Sequence, residues 1–254
     1  MKANSALLRW ANVAAFVLVI IVNGLAGSTT VIGGKLTAEI SDAYPTFVTP
    51  AGYVFSIWGI IYILLGVFII FQALPNQKTS EFREKIGWIF VLSCLLNVAW
   101  LFLWQFEYLL LSVVLMFLLL ASLIAIYLRL KIGKSAVSLR DKIAVQIPFS
   151  VYLGWITIAT IANVAVALVS VGWDGFGVNP ETWAFLMVVA VLVITSLVIT
   201  TRRDVAYGLV IIWALLGIAA KQNGNQNIVA ATEISAIIIL IALALSIVIS
   251  QRRT

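Results

Sequence analysis

Residues 48–74 read Val-Thr-Pro-Ala-Gly-Tyr-Val-Phe-Ser-Ile-Trp-Gly-Ile-Ile-Tyr-Ile-Leu-Leu-Gly-Val-Phe-Ile-Ile-Phe-Gln-Ala-Leu, 27 positions without a charge. About 20 apolar residues, wound as a helix, cross the hydrocarbon core of a bilayer. The pattern recurs along the chain. Hydropathy over windows of about 19 residues marks spans at 7–26, 50–74, 86–106, 108–130, 143–171, 183–200, 205–220 and 228–250. With 63% hydrophobic and 10% charged residues among 254, the chain is too apolar for water to be its main solvent. The expected fold is therefore all-α: a polytopic transmembrane bundle of about eight helices.

Basic residues test that count independently, because short loops on the cytoplasmic side concentrate Lys and Arg. Alternating the loops places Lys2, Arg9, Lys78, Arg83, Lys85, Arg129, Lys131, Lys134, Arg140, Lys142, Arg202, Arg203, Arg252 and Arg253 on one side and only Lys35 and Lys221 on the other. A missed or invented helix would scramble this division. Both termini are expected in the cytoplasm, with the first span retained rather than cleaved as a signal. The outer loops carry Glu39, Asp42, Glu107, Asp174 and Glu181.

The net charge of +6 follows from this sorting and does not indicate a nucleic-acid partner. Cys94 is the only cysteine and there is no histidine, so no internal disulfide can form and no metal site is expected. The basic loop at 131–142 suits anionic lipid headgroups. The outer loop at 27–49, with Gly33-Gly34 and Pro45, is expected to be structureless, either a lid or a simple crossing of the bundle end.

Of nine tryptophans, Trp10, Trp88, Trp173 and Trp183 fall near span ends, where they anchor at the headgroups. Trp58, Trp100, Trp155 and Trp213 fall inside spans, where an indole N–H needs a partner within the bundle. Trp58, Tyr62 and Gly66 share one helix face by their spacing of four, as do Trp100 and Trp104, while Tyr152, Trp155, Ala159 and Asn163 follow three- and four-residue steps. Asn97 lies one turn before Trp100. These faces could pack helices together or converge on an aromatic-walled cavity.

The segments Thr49-Pro-Ala-Gly-Tyr53-Val-Phe55-Ser-Ile-Trp58-Gly-Ile-Ile-Tyr62, Leu96-Asn97-Val-Ala-Trp100 and Tyr152-Leu-Gly-Trp155, with Asn163 two turns on, resemble the TspO/MBR family of tryptophan-rich sensory and translocator proteins. Their order and helix placement match that family's proline-aromatic motif leading into W-x-x-x-Y-x-x-x-G, its L-N-x-x-W motif and its Y-x-x-W motif. The chain departs from the pattern at Pro50-Ala51, Val151 and Ile158, and it lacks the sterol motif. The resemblance implies a five-helix core at 1–173, with three additional helices at 174–254. It implies a flat hydrophobic ligand, typically a tetrapyrrole such as a porphyrin, held by Tyr53, Phe55, Trp58, Tyr62, Asn97, Trp100, Trp104, Tyr152, Trp155 and Asn163 in a sensory or regulatory role. No cofactor is required by that reading.

Glu233 is the one acidic residue well within a span, and an intramembrane carboxyl marks a candidate pathway. It motivates the competing expectation of a small-solute or proton-coupled transporter. An enzyme is not favoured, since no span holds two acidic residues and there is no histidine to act as base. The partners expected are the lipid bilayer and a hydrophobic small molecule. A homodimer stays open, because lipid-facing and partner-facing helices are equally apolar.

Overall fold

The computed structural model describes residues 2–77 and 81–251, without the side chains of 2–5, 76, 250 and 251. Of the basic residues counted above, Lys78, Arg252 and Arg253 lie outside the described residues, as does the side chain of Lys2. Among the described residues eleven α-helices follow one another: α1 (Lys2–Ser28), α2 (Thr37–Ala43), α3 (Ile57–Ala73), α4 (Glu81–Ile86), α5 (Ile89–Gln105) and α6 (Leu109–Arg129), then α7 (Leu139–Asp141), α8 (Ile147–Ser170), α9 (Pro180–Arg202), α10 (Val205–Lys221) and α11 (Gln226–Gln251). A 3-10 turn, Gly52–Ser56, leads into α3, and a π-helical turn, Lys142–Gln146, joins α7 to α8.

Six of these segments are long and apolar enough to cross a bilayer, and the 17-residue helices α5 and α10 are apolar too. Together they account for the eight expected spans. Their outward faces are apolar as well: Ile63, Ile70, Leu111, Ile237 and Ile241 are each more than half exposed. Such a belt would be an aggregation liability in water and is the ordinary surface of a helix in lipid.

Local chemistry sets the boundaries. Asn179 accepts from the Glu181 N–H at the start of α9, where Pro180 sits at the first helical position and loses no bond by lacking an N–H. Gly87 adopts a φ of 52° and separates α4 from α5, so the third span is interrupted near its start. The outer loop is not structureless as expected. It folds α2, whose Glu39 carboxylate accepts from the Leu36 N–H at 2.7 Å; this reaching-back interaction satisfies an otherwise orphaned donor at the helix start.

Helices α1, α3, α5, α6 and α8 pack as one group, and α9, α10 and α11 as a second, joined where α10 lies against α8. Phe68 of α3, Phe90 of α5 and Phe149 of α8 meet edge to face, with centroids 5.1–6.0 Å apart. On the face carrying both termini, Arg202 donates to the Ile132 carbonyl at 3.4 Å. On the opposite face, Lys35 meets Glu107, Lys221 meets Asp42, and Asn227 donates to Glu181. The basic clusters and the acidic loops thus occupy opposite ends of the bundle.

One buried carboxylate ties the two groups together. Asp204, 6% exposed, caps α10 through the Tyr207 N–H and accepts from Tyr127 Oη of α6 at 2.9 Å and Ser150 Oγ of α8 at 2.6 Å. Replacing it with alanine leaves three buried donors without their acceptor. Hydrogen bonds to a charged group are each worth about 1.5–3 kcal/mol, so losing three of them through Asp204→Ala is expected to lower unfolding stability by about 4.5 kcal/mol or more, read as a fall in melting temperature. Asp204→Asn, which keeps an acceptor, is expected to lose less.

Candidate functional site

Trp58 enters the interior on the first turn of α3 because the preceding 3-10 turn brings the chain in from the outer loop. Four rings from three helices surround it. Tyr62 stacks on it at 5.6 Å and Trp100 at 6.1 Å, while Tyr152 and Trp155 approach edge-on, each at 6.1 Å. Phe55 meets Trp155 edge-on at 5.8 Å, and Trp104 continues the ladder from Trp100 at 5.9 Å. Offset and edge-to-face geometries favour rings by about 0.5–1.5 kcal/mol per pair beyond burial.

The rings border a partly open space of about 30 Å³ beneath α2. Phe55, Trp58, Trp100, Trp104, Trp155 and Asn163 line it, with Thr37 and Ser41 of α2 above and Ile158, Ala159, Ala162 and Val166 of α8 beside them. About 10–15 Å³ of such space holds one water, so the cavity takes a water or two. A large planar ring needs several hundred Å³. The rings converge as the helical spacing implied, yet they are packed on one another rather than held apart.

Polar groups fix the ladder. Trp100 Nε1 donates to Asn163 Oδ1 at 2.7 Å, and Asn163 Nδ2 donates to Ser112 Oγ of α6 at 2.8 Å. Asn97 Oδ1 accepts from Asn23 Nδ2 of α1 at 2.8 Å. Ser112 and Asn23 were not singled out by sequence, although each is a polar side chain in a span that lipid could not satisfy. Trp155 Nε1 and Tyr62 Oη are buried with no hydrogen-bond partner among the described residues. Each carries an unmet requirement for a polar contact.

Two expected residues lie elsewhere. Tyr53 is 55% exposed and turns away from the ladder to meet Trp213 of α10 edge-on at 5.6 Å. Glu233 is exposed on the outward face of α11, away from the aromatic site. Cys94 is buried in the core.

A lid formed by residues 29–56 closes the site and is held on two sides. Toward the core, Gln105 Nε2 donates to the Ile32 and Lys35 carbonyls, Trp104 Nε1 donates to the Thr37 carbonyl at 3.2 Å, and Glu107 accepts from Lys35 at 2.6 Å and Tyr44 at 2.7 Å. Gly33 makes this approach possible, because its φ of 75° suits glycine and an added Cβ would overlap the Gln105 carbonyl. Toward α10, Ala51 N–H donates to the Gly217 carbonyl at 3.0 Å, Trp213 Nε1 to Val54 and Gln222 Nε2 to Thr46, while Lys221 pairs with Asp42. At Gly217 an added Cβ would overlap Val54 Cγ2.

The Glu107 carboxyl is held below its ordinary pKa, first by its hydrogen bond from Lys35 and then by that from Tyr44. The same bond raises Lys35. Both side chains are solvent-accessible, so salt screens their attraction.

A family model described as TSPO-like protein matches residues 9–248, running through α10 and into α11 as well as the aromatic ladder. No curated protein and no solved structure matches the chain. With apolar helices long enough to span a bilayer and a family match over nearly its whole length, this multi-pass membrane protein belongs to the TSPO-like protein family.

Proposed function

We propose that the protein is a membrane receptor for a flat, hydrophobic, tetrapyrrole-like ligand, with a sensory or regulatory role, and that its basic face lies in the cytoplasm. The observation that carries this reading is the four-ring junction at Trp58, closed by a lid and bordered by the unpartnered Trp155 Nε1 and Tyr62 Oη. Large rings offer stacking surface to a conjugated plane, and two unsatisfied donors offer orientation. Because the space beneath the lid is about 30 Å³, binding requires the lid to lift and Trp58 to leave its stack on Trp100. Titrating the purified protein with protoporphyrin IX while following tryptophan fluorescence tests the reading. Saturable quenching at micromolar ligand is expected; a response that only rises linearly, as for partition into detergent, would contradict it.

Lid opening carries a pH signature. Since Glu107 has a lowered pKa, its contribution to lid closure is complete above the ordinary carboxylate pKa of about 4.3 and is lost as pH falls through the lowered value. Lys35, raised by the same contact, contributes fully below its ordinary pKa of about 10.4 and loses that contribution as pH rises through the raised value. The rate of ligand entry is therefore expected to be flat across the neutral range and to rise in acid, as stopped-flow quenching would show. Glu107→Gln should enter fast at neutral pH and lose most of the acid dependence.

A further inference from the structure

A second concavity lies on the face that carries the termini, far from the lid. It measures about 760 Å³ and is bounded by the end of α3, by α4 and by the connection from α6 to α8. Its floor is apolar: Phe71 and Phe82 stack at 5.7 Å, beside the buried Leu130 and Val145. Its rim is polar, with Ser135, Ser138 and Arg140 on the connecting loop and the Glu81–Lys85 ion pair on α4. This volume is typical of a ligand site.

Four observations bear on what it would hold. Gln146 lines the cleft, 8% exposed as a residue, and its amide makes no hydrogen bond among the described residues, so it is free to bond to a ligand. It closes the π-helical turn Lys142–Gln146, a distortion that recurs at functional sites. The loop around the cleft carries Lys131, Lys134, Arg140 and Lys142, none of them in an ion pair among the described residues, against Asp141, whose carboxylate accepts from Ser138. Leu139, Ile143 and Val137, 72%, 48% and 41% exposed, stand among those charges. Exposed aliphatic groups between unpaired cations at the end of a membrane bundle fit the headgroup layer, where hydrocarbon and phosphate are adjacent.

We propose that this cleft binds an anionic phospholipid from the adjacent leaflet. The lipid's glycerol and upper acyl carbons lie on Phe71, Phe82 and Val145, its phosphate meets Arg140, and the Gln146 amide bonds to a phosphate or ester oxygen. The charge that selects an anion comes from the loop, because Glu81 is already matched by Lys85. The site is independent of the aromatic ladder, so porphyrin binding and lipid binding can fail separately.

Native mass spectrometry of the full chain, titrated with phosphatidylglycerol or phosphatidylcholine, tests this assignment. One phosphatidylglycerol is expected to be retained in preference to phosphatidylcholine. Arg140→Gln should weaken it about fivefold, the effect of one cation near a lipid surface. Gln146→Leu should weaken it about tenfold, as for a lost hydrogen bond to a charged group. Arg140 is exposed, so its variant keeps the test valid if Gln146→Leu does not fold. Equal retention of both lipids, unchanged in the Arg140 variant, would overturn the proposal. So would displacement by glycerol phosphate at concentrations matching the lipid, since the ligand would then be a soluble phosphate compound.

Discussion

Trp58→Ala is expected to weaken protoporphyrin IX binding by at least about 30-fold, the effect of losing a residue worth about 2 kcal/mol or more at the centre of an interface. Trp58 touches Tyr62, Trp100, Tyr152 and Trp155 at once, so removing it takes away the ring that links α3 to both α5 and α8. Buried Trp→Ala changes cost about 3–5 kcal/mol in stability. Trp58 is only partly buried, which places it near the lower end. Trp58→Phe retains a stacking face and should fold normally with an intermediate affinity, separating lost contact from lost structure. Trp155→Phe keeps a ring but removes the unpartnered N–H, and should weaken binding with only a modest fall in melting temperature from the smaller buried ring.

Gly217→Val is expected to act in the opposite direction. A side chain there collides with Val54, the residue whose carbonyl accepts from Trp213 and whose turn leads directly to Trp58. Overpacking of this kind costs about 1–3 kcal/mol. If that cost falls on the closed lid, the open form becomes more populated and apparent affinity rises by the same free energy, about 5- to 150-fold. Stopped-flow quenching should show a faster association rate, together with a lower melting temperature. A lower melting temperature with unchanged association would place the collision outside the path of entry. The helices beyond the aromatic core thus bear on the site through α10, which grips the lid at Ala51, Val54, Thr46 and Asp42.

The membrane spans were legible because hydropathy alone selects them, and basic residues at one end gave an independent check on their number. The faces of Trp58–Tyr62, Trp100–Trp104 and Tyr152–Trp155–Asn163 were legible from helical spacing. Which partner each face meets was not, since apolar side chains pointing to lipid and to protein read alike. Tyr53 illustrates the loss: it lies within the 3-10 turn that precedes Trp58 and breaks the helical period, so it faces α10 while Phe55 faces Trp155. Glu233 is a second case, where the helix was readable and the direction of the side chain was not. The lid helix escaped notice because its seven residues form too short an apolar pattern to register. The near-filling of the cavity is a packing result that no spacing encodes, because it depends on rotamers settling against one another.

Where a tetrapyrrole binds is decided by the structure of the protein bound to protoporphyrin IX. The ring is predicted between Trp58 and Trp155 beneath a raised α2, with the Trp58–Trp100 stack opened and Trp155 Nε1 bonded to the ligand. A porphyrin lying on the lipid-facing surface, with the lid closed and that stack intact, would contradict it.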